Sequence, residues 1–117
     1  MVLITGGTYS GLEEFAKQLM KNDPTKMKII MISQLLKDDK EDEDIESLTG
    51  RLQKWCEEHT TDWYSLILIH EEVGCGLIPV TREKRIQREI QGRAGCFFAQ
   101  KANEVYRVCC GLGIKMK

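Results

Sequence analysis

Val2-Leu3-Ile4-Thr5-Gly6-Gly7-Thr8-Tyr9-Ser10-Gly11-Leu12-Glu13-Glu14 is the stretch on which the reading of the fold turns. A short apolar run breaks at Gly6-Gly7. Beyond Gly11, the residues Leu12, Phe15, Ala16, Leu19 and Met20 recur at i, i+3, i+4, i+7 and i+8, which places one apolar stripe on a helix. Asn22-Asp23-Pro24 closes that helix, because proline cannot continue it and restricts the residue before it. The unit is therefore strand, glycine turn, helix.

The same alternation continues downstream. Lys28 to Ser33, with Ile29, Ile30, Met31 and Ile32, is a near-continuous apolar run of strand length, as in a parallel strand buried on both faces. Asp38 to Glu46 is acidic and without period, an exposed loop or helix start. Ile45, Leu48, Leu52, Trp55 and Cys56 return to helical spacing, and Tyr64 to His70 reads as a second buried strand. Glu71 to Gly76 is a glycine-bearing turn. A long helix follows from about Thr81 to Lys101. Gly92 and Gly95 fall inside it at ~1 kcal/mol each relative to alanine, so a close backbone approach is expected there. Glu104 to Cys110 closes the pattern as a strand ending at Gly111. The order β-α-β-α-β-α-β implies one α/β domain over residues 1–117, with a mainly parallel sheet and crossover helices. Such sheets bind ligands beyond the C-terminal ends of their strands, and both glycine turns lie there.

Composition narrows the function classes. The chain has 117 residues, 42% of them hydrophobic, and a net charge of −1. That is enough for one modest core, and it supplies no basic face for nucleic acid. No run approaches the ~18 apolar residues of a membrane span, and Met1-Val-Leu-Ile-Thr5 has no basic leader, so a cytoplasmic protein is expected. The five cysteines, Cys56, Cys75, Cys96, Cys109 and Cys110, are odd in number and show no CxxC spacing, which supports neither a disulfide framework nor a metal site. Cys109 and Cys110 lie in an apolar run and are expected to be buried as small hydrophobes.

Gly6 and Gly11 have the separation of the phosphate-binding pattern GxxxxGK[ST], in which backbone N–H groups of Gly6, Gly7, Thr8, Tyr9, Ser10 and Gly11 would cradle phosphate oxygens. The pattern then needs a lysine for the β- and γ-phosphates and a hydroxyl for magnesium. Here those positions hold Leu12 and Glu13, with Glu14 next. One cation is gone and two carboxylates stand in the first helical turn, where they favour the helix dipole and repel a triphosphate. The turn reads either as a plain strand-to-helix connection or as a weak anion site made of backbone amides.

Glu71-Glu72-Val73-Gly74-Cys75-Gly76-Leu77-Ile78-Pro79 resembles the N-E-V-G-x-G-[IL]-[IV]-P stretch of the adenosylcobinamide kinase/adenosylcobinamide-phosphate guanylyltransferase family, with Glu71 in place of asparagine. Arg88, Gly92-Arg93, Ala99, Ala102 and Asn103-Glu104-Val105-Tyr106 are similar to its FRDxxGRxNQxxAxxADEVY segment, and Gly111 and Lys117 to its closing segment. Gly6, Gly7, Ser10, Gly11 and Ala16 are similar to its opening GGxxSGKSxxA. The resemblance implies a P-loop NTPase-like three-layer fold, a role in cobalamin biosynthesis, GTP or ATP with magnesium as co-reactants, and a corrinoid substrate.

Three departures bear on activity. Arg51-Leu52-Gln53-Lys54-Trp55 and Trp63 fit the spacing of the family's R-I-x-x-H segment, but Trp55 stands where the guanylylated histidine would be. An indole is no phosphoryl acceptor. His59, one turn on, is the nearest substitute. The family's acid-ended strand and its following helix have no counterpart between Trp63 and the Tyr64 to His70 strand, so a βα unit is missing. His70 ends that strand at the ligand edge and reads as a polar strand-end residue or as an acid/base.

The expectation is a catalytically impaired relative keeping at most weak nucleotide or anion binding. The residues singled out are Gly6 to Gly11, then Glu71, Glu72, Gly74 and Gly76, then Arg51, His59 and His70; no catalytic or metal-binding residue is assigned. An active enzyme would need His59, His70 and Glu72 in one pocket. A non-catalytic oligomeric partner is the third reading, because the missing unit leaves a strand edge or apolar sheet surface to be covered by self-association.

Overall fold

A computed structural model describes residues 1–8, 10–36, 45–72 and 82–117. The strands are β1 (Val2–Gly7), β2 (Lys28–Met31), β3 (Leu66–Glu72), β4 (Glu104–Cys109) and β5 (Leu112–Lys115). The helices are α1 (Leu12–Asn22), α2 (Ile32–Leu35), α3 (Ile45–Glu58) and α4 (Arg82–Lys101), with a 3₁₀ turn at Trp63–Ser65. One sheet holds all five strands in the order β2-β3-β1-β4-β5. β1 pairs in parallel with β3 and β4, and β2 in parallel with β3, while β5 runs antiparallel to β4.

The sequence of β1 and β3 dictates a layer on each side. Leu3, Leu66 and Leu68 point to one face, where they meet α2, α3 and α4 through Ile32, Leu48, Leu52, Ala94 and Phe98. Val2, Ile4, Ile67 and Ile69 point to the other, against Leu12 and Ala16 of α1. Both faces of these strands are covered, which is why they read as unbroken apolar runs rather than as alternation. The result is the three-layer α/β arrangement with a small, mainly parallel sheet, consistent with a P-loop-like fold. α3 passes to β3 through residues 59–65, which hold the 3₁₀ turn and no further strand or helix.

Several expectations change. The strand expected over Tyr64 to His70 runs from Leu66 to Glu72, with Tyr64 in the 3₁₀ turn. β2 ends at Met31, and Ile32, 1% exposed, turns into α2. β2 is half-buried because it is an edge strand with one neighbour, not a strand sandwiched on both sides. The C-terminal strand stops at Cys109, and a two-residue turn at Cys110 (φ 52) and Gly111 (φ 76) leads into β5. Positive φ at both central residues is the signature of the type I′ hairpin turn. Cys109 and Cys110 are therefore exposed at a hairpin tip, not buried. In the apolar run that suggested burial, only Val105 and Val108 are buried, 6% and 2% exposed.

That exposure has a chemical consequence. Cys56 is buried, and desolvation raises its thiol above the ordinary value of 9.0. Cys96, Cys109 and Cys110 are exposed. In a Cys75→Ser background, a disulfide reagent at neutral pH is expected to modify those three quickly and Cys56 only on unfolding, since the thiolate is the nucleophile. Peptide mapping after timed quenching reads the order.

Candidate functional site at the strand ends

The parallel strands end together. Register places Gly6 beside Glu71 and Val108, and Gly7 beside Glu72, so β1 and the described end of β3 reach one edge of the sheet together. Tyr9, Gly74 and Gly76 lie outside the described residues.

The first turn is closed by the protein's own groups. The Ser10 backbone N–H and hydroxyl both donate to the Gly7 carbonyl, at 3.2 and 2.6 Å. Gly11 adopts φ 90, ψ 31 and caps α1 through its carbonyl, which accepts from Phe15 N–H at 3.0 Å; no side chain caps the helix. From the other side the hairpin tip clasps the turn, Gly111 N–H donating to the Ser10 carbonyl at 2.9 Å. Leu12, 8% exposed, packs into the core under α1. Glu13 and Glu14 are exposed in the first turn, each interacting favourably with the helix dipole by ~0.3–1 kcal/mol. The position of a phosphate-binding lysine is thus an apolar core contact.

His70 was expected to end its strand, but β3 continues through Glu71 and Glu72, and the His70 ring is fully engaged. Its Nε2 lies 2.9 Å from the Gln91 carbonyl and its Nδ1 2.9 Å from the Thr5 hydroxyl. A carbonyl can only accept, so Nε2 carries the hydrogen, and in the neutral ring Nδ1 accepts from Thr5. The imidazole fills the hollow left by Gly95 on α4, where a Cβ would stand 2.7 Å from Cε1 and Nε2. The close approach expected at the helical glycines is therefore a side chain meeting Gly95; among the described residues, nothing beyond the helix itself lies within 4 Å of where a Cβ at Gly92 would stand. His70 ties β1, β3 and α4 together two residues before the end of β3.

Alternation along the strands puts Thr5, His70, Glu72 and Arg107 on the face covered by α4, and Glu71 on the face of α1. Arg107 Nη2 stands 3.8 Å from Glu72 Oε2, an exposed cation against a half-buried carboxylate at the edge. Thr5, Gln91 and Arg107 were not legible as site residues, because their roles depend on which strands are neighbours. The one local hint was a glycine inside a helix.

Arg51, Trp55 and His59 stand elsewhere. α3 delivers its C-terminus to the start of β3, so His59 lies by the N-terminal edge of the sheet and His70 by the C-terminal edge. Leu66 to His70 alone spans about 13 Å of strand. The Trp55 indole meets Phe98 edge-on at 5.6 Å and stacks on His59 at 4.2 Å. Arg51 and Trp55 line a shallow hollow with Leu35 and Leu52. His59 Nδ1 lies 3.2 Å from both carboxylate oxygens of Asp62.

The bond from His59 holds the Asp62 carboxyl below its ordinary 3.8, with the charge of Lys28 contributing further. A depressed carboxylate pKa means that the contact's contribution is complete above the ordinary value and is lost as pH falls through the lower, folded one. NMR titration is expected to find the Asp62 midpoint below 3.8, and His59→Ala to move it back up.

A magnesium–nucleotide pair does not fit the residues present. Leu12 and Glu13 replace the cation and the hydroxyl, and among the described residues no three acidic, histidine or cysteine side chains gather as metal ligands. Backbone amides at the turn can offer hydrogen bonds to an anion, against the field of Glu13 and Glu14.

A family profile described as cobinamide kinase / cobinamide phosphate guanyltransferase matches residues 28–116. The chain belongs to this family. The match runs from β2 to just past β5 and begins after the first glycine turn. Two curated relatives are each named bifunctional adenosylcobalamin biosynthesis protein. The one from Escherichia coli (strain K12) is 42% identical over 52 residues, covering 44% of this chain and 29% of the relative. The one from Salmonella typhimurium (strain LT2) is 40% identical over 52 residues, with the same coverage. The matched part is thus less than a third of the length of either relative. Among the described residues no helix is long and apolar enough to cross a membrane.

Proposed function

We propose that the protein is a catalytically impaired member of the cobinamide kinase/guanylyltransferase family, acting in the cytoplasm in connection with cobalamin biosynthesis and keeping at most weak nucleotide, anion or corrinoid binding. The observation that carries this reading is Trp55. It occupies the position that the family resemblance gives to the nucleophilic histidine, and its indole is engaged in packing against Phe98 and His59. Covalent guanylylation needs a nucleophile within reach of a base, and this position offers none. The self-closed glycine turn, with Leu12 in the core and Glu13 beside the helix end, supports the same conclusion for phosphoryl transfer.

Titration calorimetry with GTP, ATP, GMP and cobinamide is the first test. Dissociation constants of about 1 mM or weaker are expected for the nucleotides, corresponding to about −4 kcal/mol. Robust GTP-dependent phosphorylation of cobinamide by the purified protein would overturn the reading. An active enzyme with rearranged residues is the weaker alternative, because His59 and His70 lie toward opposite ends of the sheet and His70 has both nitrogens occupied.

A further inference from the structure

We propose that Cys109 and Cys110 are a reversible oxidation site, closing to a disulfide between neighbouring residues and thereby loosening the hairpin's hold on the first glycine turn. The inference goes beyond the proposed function, since it concerns a modification and not nucleotide binding. Neighbouring side chains in a strand point to opposite faces, with φ near about −120 to −140°. Cys109 ends β4, and Cys110 has φ 52. The difference is about half a turn about the Cys110 N–Cα bond, which carries its Cβ round to the side of Cys109. Both side chains therefore leave the chain on one side, and both are exposed. Asparagine and glycine adopt this turn conformation readily, whereas a cysteine is held in it by the hairpin around it. Among the described residues Cys110 is the one non-glycine with positive φ.

The oxidant is a low-molecular-weight disulfide. One cysteine thiolate attacks it, the small molecule's S–S bond breaks, and one small thiol leaves with the proton. The second cysteine sulfur attacks the sulfur so capped, the intramolecular S–S bond forms, and the second small thiol leaves with the other proton. The protein has lost two electrons and two protons, and the small disulfide has gained them. Consecutive Cα atoms stand about 3.8 Å apart, short of the ~4.4–6.8 Å usual across a disulfide. Closure is therefore strained, so small thiols reopen it readily, and the turn must shift to accommodate it. Transient disulfides of this kind serve redox sensing in a reducing compartment. The next residue carries the consequence. Gly111 donates its N–H to the Ser10 carbonyl at 2.9 Å, and its Cα would stand 3.3 Å from a Cβ at Gly11. A shift of the hairpin tip withdraws that donor from the glycine turn.

Oxidised and reduced glutathione at graded ratios, applied to the full chain, test the proposal. Cleavage after Arg107 and Lys115 isolates both cysteines in one peptide, Val108 to Lys115, apart from Cys56, Cys75 and Cys96. The expected product is that peptide lighter by two hydrogen atoms and resistant to alkylation, with both properties reversed by dithiothreitol. Hydrogen exchange at the Gly111 amide should rise by about 2–10-fold on oxidation, as for one lost hydrogen bond, while the Ile4 and Leu68 amides of the central strands stay protected. Cys109→Ser and Cys110→Asn should each block both the closure and the rise. Asparagine suits the positive φ, so the second variant keeps the hairpin. A glutathione adduct that persists on either cysteine, a bridge from the pair to Cys75, Cys96 or a second chain, closure without the rise at Gly111, or the same rise in both variants would each overturn the proposal.

Discussion

Truncating Phe98 to alanine is expected to lower the free energy of unfolding by about 3–5 kcal/mol. Phe98 is 0% exposed and lies between Ala94 on α4 and Ala102 just past its end, each at most 3% exposed. The two alanines let the helix approach the sheet, and the aromatic ring fills the space between α4, α3 and β1. Its neighbours leave little room for collapse, with Trp55 edge-on at 5.6 Å and Phe97 edge-on at 5.4 Å. A domain of this size has about 5–15 kcal/mol in total, so the variant should lie near the limit of folding at 37 °C. Urea denaturation monitored by tryptophan fluorescence measures it. Phe97→Ala, at a half-buried position, should cost clearly less. A Phe98→Ala cost below about 1 kcal/mol would mean that α4 is not held by this contact.

Gly95→Ala is the second large effect. In a helix interior the change from glycine to alanine is favourable by about 1 kcal/mol. Here the new methyl would stand 2.7 Å from the His70 ring, which hydrogen bonds at both nitrogens hold in place. A net destabilisation of about 1–3 kcal/mol is expected, as for other overpacked sites. In a His70→Ala background the obstruction is gone, and the same substitution should become neutral or stabilising. A double-mutant cycle should return a coupling of about 0.5–3 kcal/mol. Additive effects would mean that His70 does not occupy the hollow in solution.

The glycine at position 95 marks what sequence reading could and could not reach. Its presence inside a helix signalled a close approach. The partner could not be named, because the pairing of β1 with β3 brings Thr5 beside His70 across 65 residues of chain. The strands β1 and β3 were legible because burial on both faces leaves an unbroken apolar run. β5 was not: Leu112 to Lys115 is short, glycine-bearing and exposed on every residue, so it carries no burial pattern. Cys109 and Cys110 were misplaced for a related reason, since an apolar composition does not distinguish a core strand from the tip of a hairpin. At the glycine turn the chemistry was written in residues, with Leu12 and Glu13 in place of lysine and hydroxyl. The hairpin clasp from Gly111 to Ser10 was not, because it joins segments about a hundred residues apart.

The position of β1 also sets the order in which the molecule can be made. It is a central strand, yet its neighbours β3 and β4 begin at residues 66 and 104. During synthesis it waits, apolar and without strand partners, until the segments from residues 66 and 104 have emerged. Contacts of such sequence separation close late, so the domain should fold slowly for its size and through a stage in which the β1 segment is available to other chains. Newly made protein, rather than the finished fold, is then the form most dependent on chaperones, and its yield should fall as the rate of synthesis rises.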